Sequence, residues 1–430
     1  MRNVFVLGAV LGLAGALVGC ESIRSSVVSE QPTWYRRPGW FLSVEQRRPL
    51  TDLNQLIGEE YERGQPELDP QHQRVFVGSA DRGLYALRAN DLSTIWRFNA
   101  AGVVQGEPLY DANEDVVYFG SNDGALYKVR ALDGSLIWRF NTNSEVARRP
   151  LRVGPLLYVV NANDTLMAIE PGTGKLRWTY HRAPALGIEM AGYAGPAVAN
   201  GMAYAAFSDG RVSAFDAMAG TERWSIDLAA EAEQSSGELP RQLDVDATPI
   251  TARLNTGPAV FVASYPAGVF ALDAQSGGRL WSNVLATGAN DITLWEEPGH
   301  ANRAGGPDVA PRRMLLVSSA STGLWALDVE TGQEIWRRPL PEGGLSAVVP
   351  AAGALLVATS RYGLFLMSPL DGAVIDGVET GTGFASTPAA FGRRAFALTN
   401  QGVLLSIVID APWRSPRIGT RDPFVQLGKK

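Results

Sequence analysis

Cysteine is almost absent: Cys20 is the only one in 430 residues. The chain therefore has no internal disulfide framework and no cysteine-based zinc site, and its fold must be held by a core. Histidine is nearly as scarce, and His72, His181 and His300 share no ligand spacing; each reads as a surface or locally satisfied side chain. Basic residues do not outnumber acidic ones, 38 against 44 for a net charge of −6. Such a balance gives no field for a nucleic-acid backbone, so nucleic acid is not an expected partner. The apolar run at the N-terminus, Val4 to Val18, is 15 residues long, short of the roughly 20 that cross a bilayer. Nucleophile elbow, P-loop and helical zinc patterns are missing as well. The stretch Asp111-Ala-Asn113-Glu-Asp115 resembles the start of a calcium loop, but Val116 stands where glycine is needed and Asn122 where a bidentate glutamate belongs. Gly381-Thr-Gly383 lacks the third glycine of a dinucleotide loop. No catalytic residue, no metal ligand and no cofactor is expected.

What is present begins with Met1-Arg2-Asn3 and that short apolar run, the pattern of a secretion signal over residues 1–19. The run ends at Leu17-Val18-Gly19-Cys20, which resembles a bacterial lipobox and makes Cys20 the expected lipidation site and membrane anchor. An ordinary signal peptide with an incidental cysteine is the plainer reading of the same residues. Glu21 stands where an aspartate signals inner-membrane retention, so outer-membrane delivery at the periplasmic face is expected. Residues 20–63 read as a tether and N-terminal segment, with Leu50 to Arg63 a short helix or an insertion.

The rest of the chain repeats. Val117 to Trp138 reads as strand, Ser-Asn-Asp-Gly turn, strand, Leu-Asp-Gly-Ser turn, strand. The layout returns at Val75 to Trp96, Leu157 to Trp178, Ala203 to Trp224, Val260 to Trp281 and Leu315 to Trp336, always with Leu or Val twelve places before the tryptophan. Weaker copies follow at Leu355 to Met367, with Asp376 in the tryptophan position, and at Ala395 to Ile407, where the last strand is missing. Pro108, Pro150, Pro196 and Pro249 each precede one more short strand. Four strands per unit make a propeller blade. The expected fold is all-β: an eight-bladed propeller over residues 64–410, closed by a strand from the N-terminal region, Trp40 to Val44, and followed by a tail at 411–430. The tryptophans should wedge between blades, each indole N–H meeting a backbone acceptor. Leu228 to Asp246 and Asn283 to Arg313 are longer than a blade needs, as functional loops or as tolerated insertions.

The unit Gly-x-(Leu/Val)-(Tyr/Phe)-Ala-Leu-Asp-x-x-(Ser/Thr)-Gly-x-x-x-Trp, clearest at Gly268 to Trp281 and Gly323 to Trp336, resembles the PQQ-like propeller repeat. That family joins quinoprotein dehydrogenases with non-enzymatic relatives. The dehydrogenases hold their quinone over calcium beneath a disulfide of adjacent cysteines, which a single cysteine cannot form. Among the non-enzymatic relatives the chain is similar to the BamB lipoproteins of outer-membrane β-barrel assembly, over the lipobox and the whole propeller. The most distinctive stretch is Gly210-Arg-Val-Ser-Ala214, then Trp224, then Glu238-Leu-Pro-Arg241-Gln-Leu-Asp244-Val-Asp246-Ala-Thr-Pro249. The resemblance implies that Arg241, Asp244 and Asp246 contact a protein partner, an outer-membrane barrel assembly protein or unfolded barrel clients. On local grounds alone the two aspartates read as strand-entry caps. The family's second contact stretch corresponds to Leu186-Gly-Ile-Glu-Met-Ala-Gly192, which here carries no arginine. The expected function is a non-enzymatic scaffold that binds proteins by strand addition at a blade edge or by docking on loops. The alternatives are a PQQ-dependent periplasmic dehydrogenase and a sensor or adhesion propeller with another ligand.

Overall fold

The computed structural model describes residues 41–50, 62–183, 194–228, 230, 245, 247–298, 310–339 and 344–410. Its strands form eight four-stranded antiparallel sheets, the propeller the repeat predicts. Seven sheets take their strands in chain order; the first is Pro66–Asp69, Arg74–Gly78, Gly83–Arg88 and Thr94–Asn99. The opening strand of each blade lies at the hub and the fourth at the rim. Middle strands such as Arg74–Gly78 and Val116–Gly120 are buried along their whole length, because neighbouring blades cover both faces. Their sequences are accordingly continuous apolar runs rather than alternating ones. The residues twelve before each tryptophan, Leu84, Leu126, Leu166, Val212, Val269 and Leu324, are at most 1% exposed.

Each tryptophan is a peg into the next blade. The Nε1–H groups of Trp96, Trp138, Trp178, Trp224, Trp281 and Trp336 donate to the carbonyls of Ala131, Pro171, Ala217, Ala274, Val329 and Pro369 at 2.9–3.2 Å. The accepting carbonyls lie in the turn between the third and fourth strands of the following blade. A glycine in the same turn lies beneath the ring. At Gly332, with φ +70°, an added Cβ would stand 2.4 Å from Trp281. Glycine here supplies both the left-handed backbone and the room for the indole.

The ring closes with a strand from the N-terminal region, Leu42–Pro49, paired antiparallel to Val403–Ile409 with Leu42 opposite Ile409. Expected at Trp40 to Val44, it runs on to Pro49, and Trp40 lies outside the described residues. The propeller therefore begins before residue 64. The Asn283 to Arg313 connection is also corrected: Ala289–Glu297 is the hub strand of the sixth blade, paired with Arg312–Ser319. It has no preceding proline, unlike the hub strands that follow Pro108, Pro150, Pro196 and Pro249.

Antiparallel order sets two faces. Connections from one blade's rim to the next blade's hub emerge on one face, together with the turns between second and third strands. The remaining turns emerge on the other. The rim strand Glu222–Asp227 ends, and the hub strand Ile250–Leu254 begins, at the connection face. The strands Ala289–Glu297 and Arg312–Ser319 are the first and second of the sixth blade, and the residues between 298 and 310 lie outside the described residues.

Candidate functional site

Hub strands place their charged side chains around the ring axis. Arg149 donates to Glu67 at 2.6 Å and to Glu107 at 2.8 Å, tying the third blade to the first and second. Burial pushes the Glu67 carboxyl up to about 7 and raises that of Glu107, while Arg149 pulls both back. Asp291, from the sixth blade, is likewise raised by burial to about 6, with Arg148 opposing. Ionised carboxylates in a narrow hub lose more hydration than the arginines return.

At the connection-face end of this girdle is a cup of about 390 Å³, within the range of small-ligand pockets. Its polar wall residues include Gln65, Gln105 and Asn290 together with the charged Arg63, Glu145 and Arg148. Asn290 Nδ2 donates to the Leu345 carbonyl at 3.2 Å, leaving Oδ1 buried with no partner. A β-bulge at Asn290, in the ladder between Ala289 and Asp291, puts an amide and a carboxylate in succession at the axis. Sequence reasoning missed the cup, since its residues come from six blades and share no motif; the polar residues before the hub strands were the available signal.

Of the expected site residues, Arg241, Asp244 and Asp246 lie outside the described residues, as do Cys20 and the Leu186 to Gly192 stretch. Val245, between the two aspartates, is 1% exposed in the core shared by the fourth and fifth blades.

The remaining polar clusters are structural. Asp111 accepts the Asn113 N–H at 3.0 Å and pairs with Arg152. Asp69, His72 and Asp115 come close enough to share a cation, but Arg74 already bridges the two carboxylates. The guanidinium takes the place a metal would need. His72 Nδ1 lies 2.9 Å from Asp69, and His181 bonds Thr165 at 3.0 Å; His300 lies outside the described residues.

Comparison with known proteins agrees with this architecture. The model of the family described as outer membrane protein assembly factor BamB matches residues 80–294 and 271–407. The BamB of Legionella pneumophila (strain Paris) is 25% identical over 225 residues, 52% of this chain and 52% of that protein. The chain thus spans about half the length of this curated relative. The 1-butanol dehydrogenase (quinone) of Thauera butanivorans is 28% identical over 158 residues, 34% of this chain and 22% of that enzyme. The crystal structure of BamB from Moraxella catarrhalis superposes with a TM-score of 0.65 at 18% identity, covering 86% of this chain and all of the other. Eight closed blades, their tryptophan pegs and a family match across both halves of the ring lead to one assignment: the chain belongs to the BamB family of PQQ-like repeat propellers.

Proposed function

We propose that this protein is a non-enzymatic scaffold of outer-membrane β-barrel assembly, anchored to the periplasmic face of the outer membrane through acylated Cys20. The observation that carries this reading is the BamB family match over both halves of the propeller. Arg241, Asp244 and Asp246 are the proposed contacts with a barrel assembly protein or with unfolded barrel clients. Their connection joins the fourth and fifth blades, and Val245, between the two aspartates, is buried. A rigid ring with a loop-bearing face can hold partner-binding residues in fixed positions. The quinone dehydrogenase relative shares the repeat, but its likeness covers about a third of this chain.

The test is isolation of the lipidated protein from detergent-solubilised envelopes, beside an Arg241→Glu, Asp244→Arg double variant. Co-isolation of a large outer-membrane barrel protein with the native form, lost in the variant, is the expected result. A folded, outer-membrane-located native protein that brings down no barrel protein would end the assembly reading.

A further inference from the structure

We propose that a groove between the fourth and fifth blades, on the face opposite the connections, binds a small organic carboxylate through Arg253. The site is separate from Arg241, Asp244 and Asp246, and the inference stands without them.

The seams between other blades supply the comparison. In the first and second blades the hub strand ends in an acid, Asp69 and Asp111, at the last ladder position before its turn. Each acid meets a guanidinium in the seam that follows. Arg74 donates to Asp69 at 2.7 Å and also pairs with Asp115 of the second blade. Arg152, from the third blade, pairs with Asp111 and reaches Glu114 at 2.7 Å. In the fourth blade the same ladder position is Ala199, opposite Met202, and the turn Asn200-Gly201 holds no acid. The arginine, however, is kept. Arg253, on the hub strand Ile250–Leu254 of the fifth blade, lines the seam together with Asn200, Met202 and Tyr204 of the fourth. Among the described residues no carboxylate pairs with its guanidinium, which is exposed and open to a ligand.

Loss of the internal acid coincides with a groove of about 550 Å³, within the range of small-ligand sites and far larger than an inorganic ion needs. Its lining carries two guanidiniums, Arg223 and Arg253, two carboxamides, Asn200 and Gln275, and no carboxylate. Arg223 already donates to Asp216 at 2.9 Å. One cation is left unmatched, which suits a ligand with a single negative charge. A carboxylate accepts two parallel N–H bonds from a planar guanidinium and would take the electrostatic place that Asp111 fills two seams earlier. Met202 and Pro258, both partly exposed in the lining, offer apolar surface to the body of the ligand.

The probe is cinnamate, titrated calorimetrically into the full mature protein, with cinnamamide, acetate and inorganic phosphate as comparison ligands. Cinnamate is expected to bind more tightly than all three. Arg253→Gln is expected to weaken it about tenfold, the scale of lost hydrogen bonds to a charged group. Arg130→Gln, at an exposed arginine of the second blade, should leave it unchanged. Ala199→Asp restores the acid that the first two blades carry, should weaken cinnamate in the same direction, and covers the case of an Arg253 variant that does not fold. Absence of cinnamate binding, equal binding of cinnamamide, tighter binding of acetate or phosphate, or a cinnamate affinity unchanged in both Arg253→Gln and Ala199→Asp would overturn the proposal.

Discussion

Asp376 accepts the backbone N–H of Leu42 at 2.7 Å across 334 positions of chain, and the same Oδ2 accepts the N–H of Phe41. It stands opposite Leu366 in its blade, the ladder position that Trp96 holds opposite Ala86. Six seams of the ring use a tryptophan over a glycine. This seam meets the start of a closing strand, whose first amides need an acceptor, and a buried carboxylate satisfies two of them.

Replacing Asp376 with Ala should therefore cost about 2–4 kcal/mol, because two amides lose a charged acceptor. Hydrogen exchange should locate the loss, with amides of residues 42–49 exchanging faster while those of the third blade change little. Asp376→Trp should not rescue stability, since the seam has backbone amides to satisfy rather than an indole to bury. Unchanged exchange in Asp376→Ala would mean that the Val403–Ile409 ladder alone holds the strand.

The tryptophan pegs predict a coupling. Gly332→Ala should destabilise by roughly 2–4 kcal/mol through overlap with Trp281 and an unfavourable φ. Trp281→Ala should cost roughly 3–5 kcal/mol. The double variant should lose less than the sum, because without the ring the added methyl has room. Additive denaturant midpoints would separate the glycine from the peg.

The far end of the closing strand is held differently. Arg48 donates to the Leu92 carbonyl and to Thr94 Oγ1, both at 2.6 Å, bridging to the first blade. Gln46 occupies the ladder position of the tryptophan there, and the turn carries Leu92 at φ +56° instead of glycine. With no ring above it, the turn does not need to lack a side chain. Arg48→Ala should cost about 1 kcal/mol, and combining it with Asp376→Ala should cost less than the two together, since both hold one strand. A full sum in urea unfolding would show the two anchors acting independently.

Glu67 predicts a pH dependence. Its folded pKa of about 7 lies above the ordinary 4.5, so between these values the folded state keeps a proton that the unfolded chain releases. The stability contributed by this group is complete below about 4.5 and is lost as pH rises through 7, by at most about 1.4 kcal/mol per pH unit. Glu67→Gln should remove that slope, so its thermal midpoint should decline less than the native protein's between pH 5.5 and 8. Parallel declines would show that Arg149 holds Glu67 ionised throughout.

Much of the ring was legible because a blade cannot bury its faces alone. Tryptophans 40 to 57 residues apart, with turn signals at fixed offsets, left a closed stack of sheets as the way to cover them. Even the odd seventh unit was visible as Asp376 in a tryptophan position, although its role as an acceptor for Phe41 and Leu42 was not. The hub strand Ala289–Glu297 was hidden because nothing local distinguishes it from an insertion.

The sequence by itself determined the blade count, the peg positions and the need for a borrowed strand, since periodicity and apolar runs are local properties of the chain. Only the tertiary structure decided what the seams use where the pegs stop, and what meets at the axis. Arg149 finds Glu67 from 82 positions away, and Asn290 shares a wall with Gln65 and Gln105. Such encounters follow from ring closure, which brings residues together by their angle and height around an axis rather than by their spacing along the chain.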